Sequence, residues 1–183
     1  MKNRSIKSTL SLFALAIFFL TFSNCDKLLD DITLTHTFNT SFHIDVSEDD
    51  ELMYYEEKVI DMTSNQEFVD NKDKIDKFTV REVYYHIIDY NGEPGIIGSG
   101  VATFKDGGAT IGDPILQNNV DFWALYSSGD KTVLPVTENT KNQLADVLMD
   151  KMKFSIVLEG IMSDKPILID VEMSAVIAAN VKP

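Results

Sequence analysis

The chain has 183 residues, with 16 Lys and Arg against 29 Asp and Glu, a formal charge of −13, and 44% hydrophobic residues. That length fits one domain of ordinary size, and the excess of acid excludes nucleic acid and direct docking on anionic lipid as partners, because both are phosphate lattices that repel such a surface. With one cysteine, Cys25, no intramolecular disulfide framework is available, so an apolar core alone must hold the fold.

The first 25 residues have their own grammar. Lys2, Arg4 and Lys7 precede any acid, and Leu10 to Phe22 is a 13-residue run interrupted only by Ser11 and Thr21. Basic residues followed by a short apolar run make a secretory signal peptide. The run is shorter than the roughly 20 residues that span a bilayer. It ends in Thr21-Phe22-Ser23-Asn24-Cys25, which resembles the lipobox of bacterial lipoproteins. Phe22 and Asn24 stand where that family usually has a small aliphatic residue and Gly or Ala. The resemblance implies cleavage before Cys25, diacylation of its thiol and acylation of the new amine. An ordinary signal peptide cut near Ser23, with Cys25 left as a thiol, is the alternative. Acyl chains would hold the membrane against the charge repulsion, since each buried methylene contributes roughly 0.8 kcal/mol.

The leader takes three of the 16 basic residues and none of the acids, so the mature chain carries 13 against 29 and a formal charge of −16. Residues 25–31 then form the lipidated cysteine and an acidic tether, Asp26-Lys27-Leu28-Leu29-Asp30-Asp31. The acids resemble tags that send some Gram-negative lipoproteins to the cell exterior, whereas Asp directly after the cysteine retains others in the inner membrane. Outer-membrane attachment ranks slightly ahead. The tether also reads simply as a solvated linker.

Residues 32–183 read as one domain. Ile32 to Val46 alternates with period two and predicts a long half-buried strand. The acidic turn Ser47 to Glu51 follows, and Leu52 to Met62 predicts a second strand paired with the first as a hairpin. Ser64-Asn65-Gln66-Glu67 has capping-box spacing and predicts a helix of about three turns ending near Asp76, with Phe68, Val69 and Ile75 on its apolar side. Such a thin stripe suits a lid or crossover over the end of a sheet. Phe78 to Tyr90 is apolar on both alternating faces in its middle, as in a strand central to its sheet. The turn Asn91 to Gly95 leads to Ile96 to Lys105, its predicted hairpin partner, where Gly98 and Gly100 suggest a bulge or close packing.

After Asp106-Gly107-Gly108, a short extended piece lies within Ala109 to Asn119, and the aromatic run Val120 to Ser127 predicts another strand around Trp123. Thr140 with Gln143 predicts a second capped helix to Met152, its stripe Leu144, Val147, Leu148 and Met152. Lys153 to Met162 and Pro166 to Val181 close the domain as strands joined through Ser163-Asp164-Lys165. Seven or eight strands, mostly in hairpin order with two short helices as crossovers, predict a mainly β fold: an antiparallel β-sandwich, immunoglobulin-like or similar.

Chemistry is sparse. Gly98-Ser99-Gly100 lacks the flank of a nucleophile elbow and sits in a predicted hairpin. His36, His43 and His86 have no zinc spacing, and the odd separation of the first two turns them to opposite faces. No cofactor motif appears. Hard oxygen ligands for calcium cluster at Asp45, Glu48, Asp49, Asp50 and Glu51, with a weaker set at Asp89-Tyr90-Asn91-Gly92, both out of EF-hand order. Adjacent aromatic pairs on strands must split between faces, and the outward set Tyr54, Tyr84, Trp123 and Tyr126 is a candidate surface for a sugar or peptide. These features predict a non-enzymatic, lipid-anchored binding or assembly module of the cell envelope with a protein or glycan partner. Two alternatives are a carrier of an apolar ligand between the sheets and a carboxylate-dependent hydrolase.

Overall fold

The computed structural model describes residues 32–182. The leader, Cys25 and the acidic tether lie outside the described residues, and Thr33–Lys182 form one compact unit.

Among the described residues, eight strands make two four-stranded antiparallel sheets, as the alternating hydrophobicity predicts. The strands are β1 (Ile32–Val46), β2 (Met53–Asp61), β3 (Ile75–Gly92), β4 (Ile97–Asp106), β5 (Ala109–Asp121), β6 (Thr132–Val133), β7 (Lys153–Met162) and β8 (Ile167–Val181). Their orders are β1-β8-β3-β6 and β2-β7-β4-β5. Only β4 and β5 are consecutive strands that pair, from Asp106 opposite Ala109 to Ile97 opposite Asp121. Every other step along the chain crosses to the opposite sheet. Two sheets of four connected in this way are the jelly-roll form of the sandwich, not the immunoglobulin order.

The hairpins expected for β1 with β2, and for β3 with β4, are therefore absent. Turn residues such as Asn91, Gly92 and Gly95 specify that the chain reverses. They do not specify whether the returning strand pairs beside the first or stacks across the core from it, and burial of both inner faces decides that here.

The spine is the long antiparallel pair β3 and β8, in register from Ile75 opposite Val181 to Gly92 opposite Ile167, with three register shifts. On the other side of β8, Thr33 reaches Asn180 and His43 reaches Asp170, so β1 also runs antiparallel to it. Inward residues of both sheets, among them Phe42, Ile60, Phe104, Ile156, Ile169 and Ile177, form one continuous core.

Among the described residues, three helices close the gaps. Helix α1 is only Gln66–Asp70, between 3-10 turns Met62–Ser64 and Lys72–Lys74. Asn65, not Ser64, caps it, accepting from the amides of Glu67 (2.9 Å) and Phe68 (3.4 Å). The expected three turns shrink to one because Asp70 to Lys74 offers no apolar face to bury, and a short helix is not stable on propensity alone. Its one deep contact is Phe68, packed between Phe38 (5.4 Å) and Phe78 (6.1 Å). It plugs an end of the sandwich, as a lid would.

Helix α2 (Phe122–Ser128) replaces the strand expected at Val120 to Ser127. Asp121 accepts from the Ala124 amide at 2.9 Å as its N-cap, and Gly129, with φ of 67°, ends it. Both start and stop signals stand in the sequence, but the aromatic composition suggested a strand. Helix α3 (Glu138–Lys151) begins earlier than expected, capped by Thr137, and buries Thr140, Leu144 and Leu148. Leu144, Leu148 and Met152 of the expected stripe are buried. The helix is pinned to β5 where the Gly112 amide donates to Gln143 Oε1 at 2.9 Å. Gly112 has φ of +64°, and a Cβ there would lie 2.2 Å from Thr140 Oγ1. Among the described residues, no helix is long and apolar enough to cross a membrane.

Candidate binding surface

The aromatic residues proposed as one platform separate into three places. Tyr54 points inward. Its hydroxyl lies against Gly100 and Gly160, where an added Cβ would come within 2.4 and 2.7 Å of it. Gly160 is opposite Tyr54 in one strand pair and opposite Gly100 in the next, so a phenol ring takes the space that two side chains would fill. Burial, with a smaller contribution from Tyr85, pushes the Tyr54 phenol up to about 12. This also accounts for the glycines on β4: Gly100 receives Tyr54, Gly98 receives the ring of Phe122, and a β-bulge lies between them.

Tyr84 faces outward on the other sheet, with Lys131 Nζ 4.5 Å from its ring centroid. Trp123 and Tyr126 do meet, at 6.1 Å, and both pack on Tyr90, but they sit on α2 rather than on a strand. Strand parity turns Tyr54 and Tyr85 to the core and leaves Tyr55 and Tyr84 outside. The surface ring of the first pair is therefore Tyr55.

The histidines and acids are also dispersed. His36 is exposed and meets the buried Phe38 ring edge-on at 4.8 Å, while His43, an odd number of residues on, is exposed on the other face of β1. His43 Nδ1 lies 2.6 Å from Asp170 Oδ1, and this hydrogen bond raises the imidazole above its ordinary value. The His43 amide donates to Glu56 Oε2 at 2.6 Å, tying the edge strand β1 of one sheet to the edge strand β2 of the other. In the acidic turn, the Asp50 carboxylate accepts from the Ser47 hydroxyl (2.7 Å) and amide (2.9 Å), which holds it below the usual carboxylate range. It closes the turn. Asp45, Glu48, Asp49 and Asp50 are not assembled as a cation site, and among the described residues no three His, Cys, Asp or Glu side chains come together to hold a metal.

One cluster was not visible from spacing. Tyr84 is opposite Ser174 and His86 is opposite Glu172 on the outward face of β3 and β8. Ser174 Oγ and His86 Nδ1 are buried without a hydrogen-bond partner, the latter 3.7 Å from Glu172 Oε1. The residue types suggest hydrolysis, but Ser174 is 1% exposed and no substrate atom can reach its hydroxyl. Between the sheets, the apolar cavity lined by Tyr54, Tyr85, Phe122 and Met173 measures about 50 Å³. Ligand sites begin at roughly 300 Å³, so this cavity is too small for the cargo of the carrier alternative.

The outward face of β2-β7-β4-β5 is different. Met53 (61% exposed), Tyr55 (60%), Leu116 (63%) and Ile161 (54%) stand on it together. Register explains why: Met53 is opposite Ile161, which is opposite Ser99, and the next row runs Tyr55, Glu159, Val101, Leu116. These rows line a shallow open groove of about 670 Å³ that also includes Glu51 and Asn118. Contiguous exposed apolar surface on a folded domain marks an interaction site, unlike single scattered residues. The signal was present in the alternation of β2 and β7, but which four strands lie side by side was not.

No family model matches the chain, and no curated protein matches it. Among solved structures it is similar to the decameric BFDV capsid protein, at 9% identity and a TM-score of 0.42 over 82% of this chain and 99% of that one. It is also similar to turnip yellow mosaic virus, at 8% identity and a TM-score of 0.31 over 82% of this chain and 96% of that one.

Proposed function

We propose that this protein is a lipid-anchored, non-enzymatic binding module of the bacterial cell envelope, attached through Cys25, with the outer membrane favoured, and presenting one sheet face to another protein. The observation that carries the reading is the apolar groove on β2-β7-β4-β5, where Met53, Tyr55, Leu116 and Ile161 are exposed side by side. Four large apolar side chains kept in water cost the free domain solvation free energy, which association recovers. The leader supports the anchor: Leu10 to Phe22 followed by Cys25 resembles a lipoprotein signal. A mature chain of formal charge −16 then remains at a membrane only through its acyl groups. The test is fractionation of cells expressing the full chain and its Cys25→Ala variant, with intact-mass measurement of the membrane form. The native chain is expected in the membrane fraction, starting at Cys25 with added acyl mass. An unchanged membrane location for Cys25→Ala overturns the anchor.

A further inference from the structure

We infer that the partner of the β2-β7-β4-β5 groove is a protein segment that presents apolar side chains and an Arg or Lys on one and the same face, its cation seated on Glu159. The inference rests on the binding-module reading and adds the chemistry of what binds.

Charge within the groove decides it. Its lining contains two carboxylates, Glu51 and Glu159, and no Lys, Arg or His. Among the described residues, no ion pair engages either carboxylate. The bases of this sheet stand outside the groove: Lys58 pairs with Glu56, and Lys153 and Lys105 lie toward the far end, opposite Asp61 and Ser155. Glu159 is central, opposite Tyr55 on one side and Val101 on the other, with Ile161 two residues along the same strand. Anything that covers the apolar residues also removes Glu159 from water. A covering surface without a cation leaves a desolvated carboxylate unpaired, which strongly disfavours the complex, while a cation opposite it makes a charge-assisted pair in a water-poor setting.

The same reasoning disposes of the other occupants. A second copy docking face to face brings Glu51 and Glu159 against their own equivalents, on two chains that are each net acidic. A glycan finds one ring, Tyr55, on a floor otherwise made by Met53, Val101, Leu116 and Ile161, which offers sugar hydroxyls little to bond. A segment with its cation two residues from its apolar groups suits the site because side chains two residues apart on a strand share a face, so the apolar groups can meet the apolar rows while the cation beside them reaches the carboxylate.

The experiment uses the purified full chain, labelled with nitrogen-15, and three synthetic nine-residue peptides with Ser at every even position and, at the odd positions, Leu with a central Arg (Arg–Leu), Leu with a central Glu (Glu–Leu), or Ser with a central Arg (Arg–Ser). The Arg–Leu peptide is expected to shift the amides of Met53, Tyr55, Val101, Leu116 and Ile161, and Glu159→Gln is expected to weaken that binding at least about tenfold. Equal binding of the Glu–Leu peptide at the same amides overturns the assigned chemistry but leaves the face as a binding surface. Equal binding of the Arg–Ser peptide reduces the effect to general attraction by an acidic protein and overturns the assignment. If no peptide shifts these amides, both the assignment and the binding face fall. If dilution of the chain alone shifts them, a second copy is the occupant and the assignment is wrong.

Discussion

Replacing Gly112 with alanine tests how α3 is held against β5. The added Cβ would stand 2.2 Å from Thr140 Oγ1, 2.5 Å from Cγ2 and 2.6 Å from Cβ, at a backbone φ of +64°. The left-handed conformation costs an alanine about 1–2 kcal/mol, and forcing a methyl into a filled space costs about 1–3 kcal/mol more. The sum is about 2–5 kcal/mol, or a fall of roughly 5–15 °C in Tm for a domain of this size. Gly107→Ala separates the two contributions, because Gly107 has φ of +59° and nothing within 4 Å of its added Cβ; it should lose only the backbone part. Thr140→Ala removes two of the three clashing atoms, at the cost of the 2.9 Å hydrogen bond with Thr137. Combined with Gly112→Ala it should therefore be less harmful than the sum of the two changes. Urea unfolding followed by Trp123 fluorescence measures all four proteins. Equal losses for Gly112→Ala and Gly107→Ala, or strict additivity with Thr140→Ala, would refute the close approach of helix and strand.

Three further outcomes are expected. Phe68→Ala empties a fully buried site between Phe38 and Phe78 and should lower stability by about 3–5 kcal/mol; a loss under ~1 kcal/mol in urea unfolding means α1 does not plug the sandwich. His43 titrates above 6.5 because of Asp170, so the stability from that contact is present below pH 6.5 and is lost as pH rises through the folded value. Asp170→Asn should bring the His43 resonance titration down, and an unchanged midpoint removes the contact. Tyr54 retains its proton to about 12, so the fold loses stability as pH rises from about 10, where an unfolded tyrosine ionises. Tyr54→Phe should abolish the last phenolate step in an ultraviolet titration; its persistence assigns that step elsewhere.

Much of the β content was legible because period-two alternation reports a half-buried strand directly, and β1, β3, β7 and β8 lie close to where it placed them. Gly98 and Gly100 correctly marked a bulge and close packing. Errors arose where composition outweighed local signals, as at Phe122–Ser128, where Asp121 and Gly129 bracket a helix that its aromatic residues disguised. They arose again where one reversal was compatible with two pairings, as between β3 and β4. On the binding face, alternation leaves open which of Tyr54 and Tyr55 points inward, and the glycines that receive the Tyr54 ring, Gly100 on β4 and Gly160 on β7, decide it.

The amino-acid order by itself determined that the chain is acidic, has basic residues and a short apolar run ahead of a lone cysteine, and folds from alternating strands around an apolar core, since each of these is a local property of neighbouring residues. Tertiary structure alone decided that Met53, Ile161 and Leu116, from three strands distant in the chain, share one outward face with Glu159 between them. Strand neighbours are chosen by which arrangement buries both inner faces at once, and that choice depends on the whole chain.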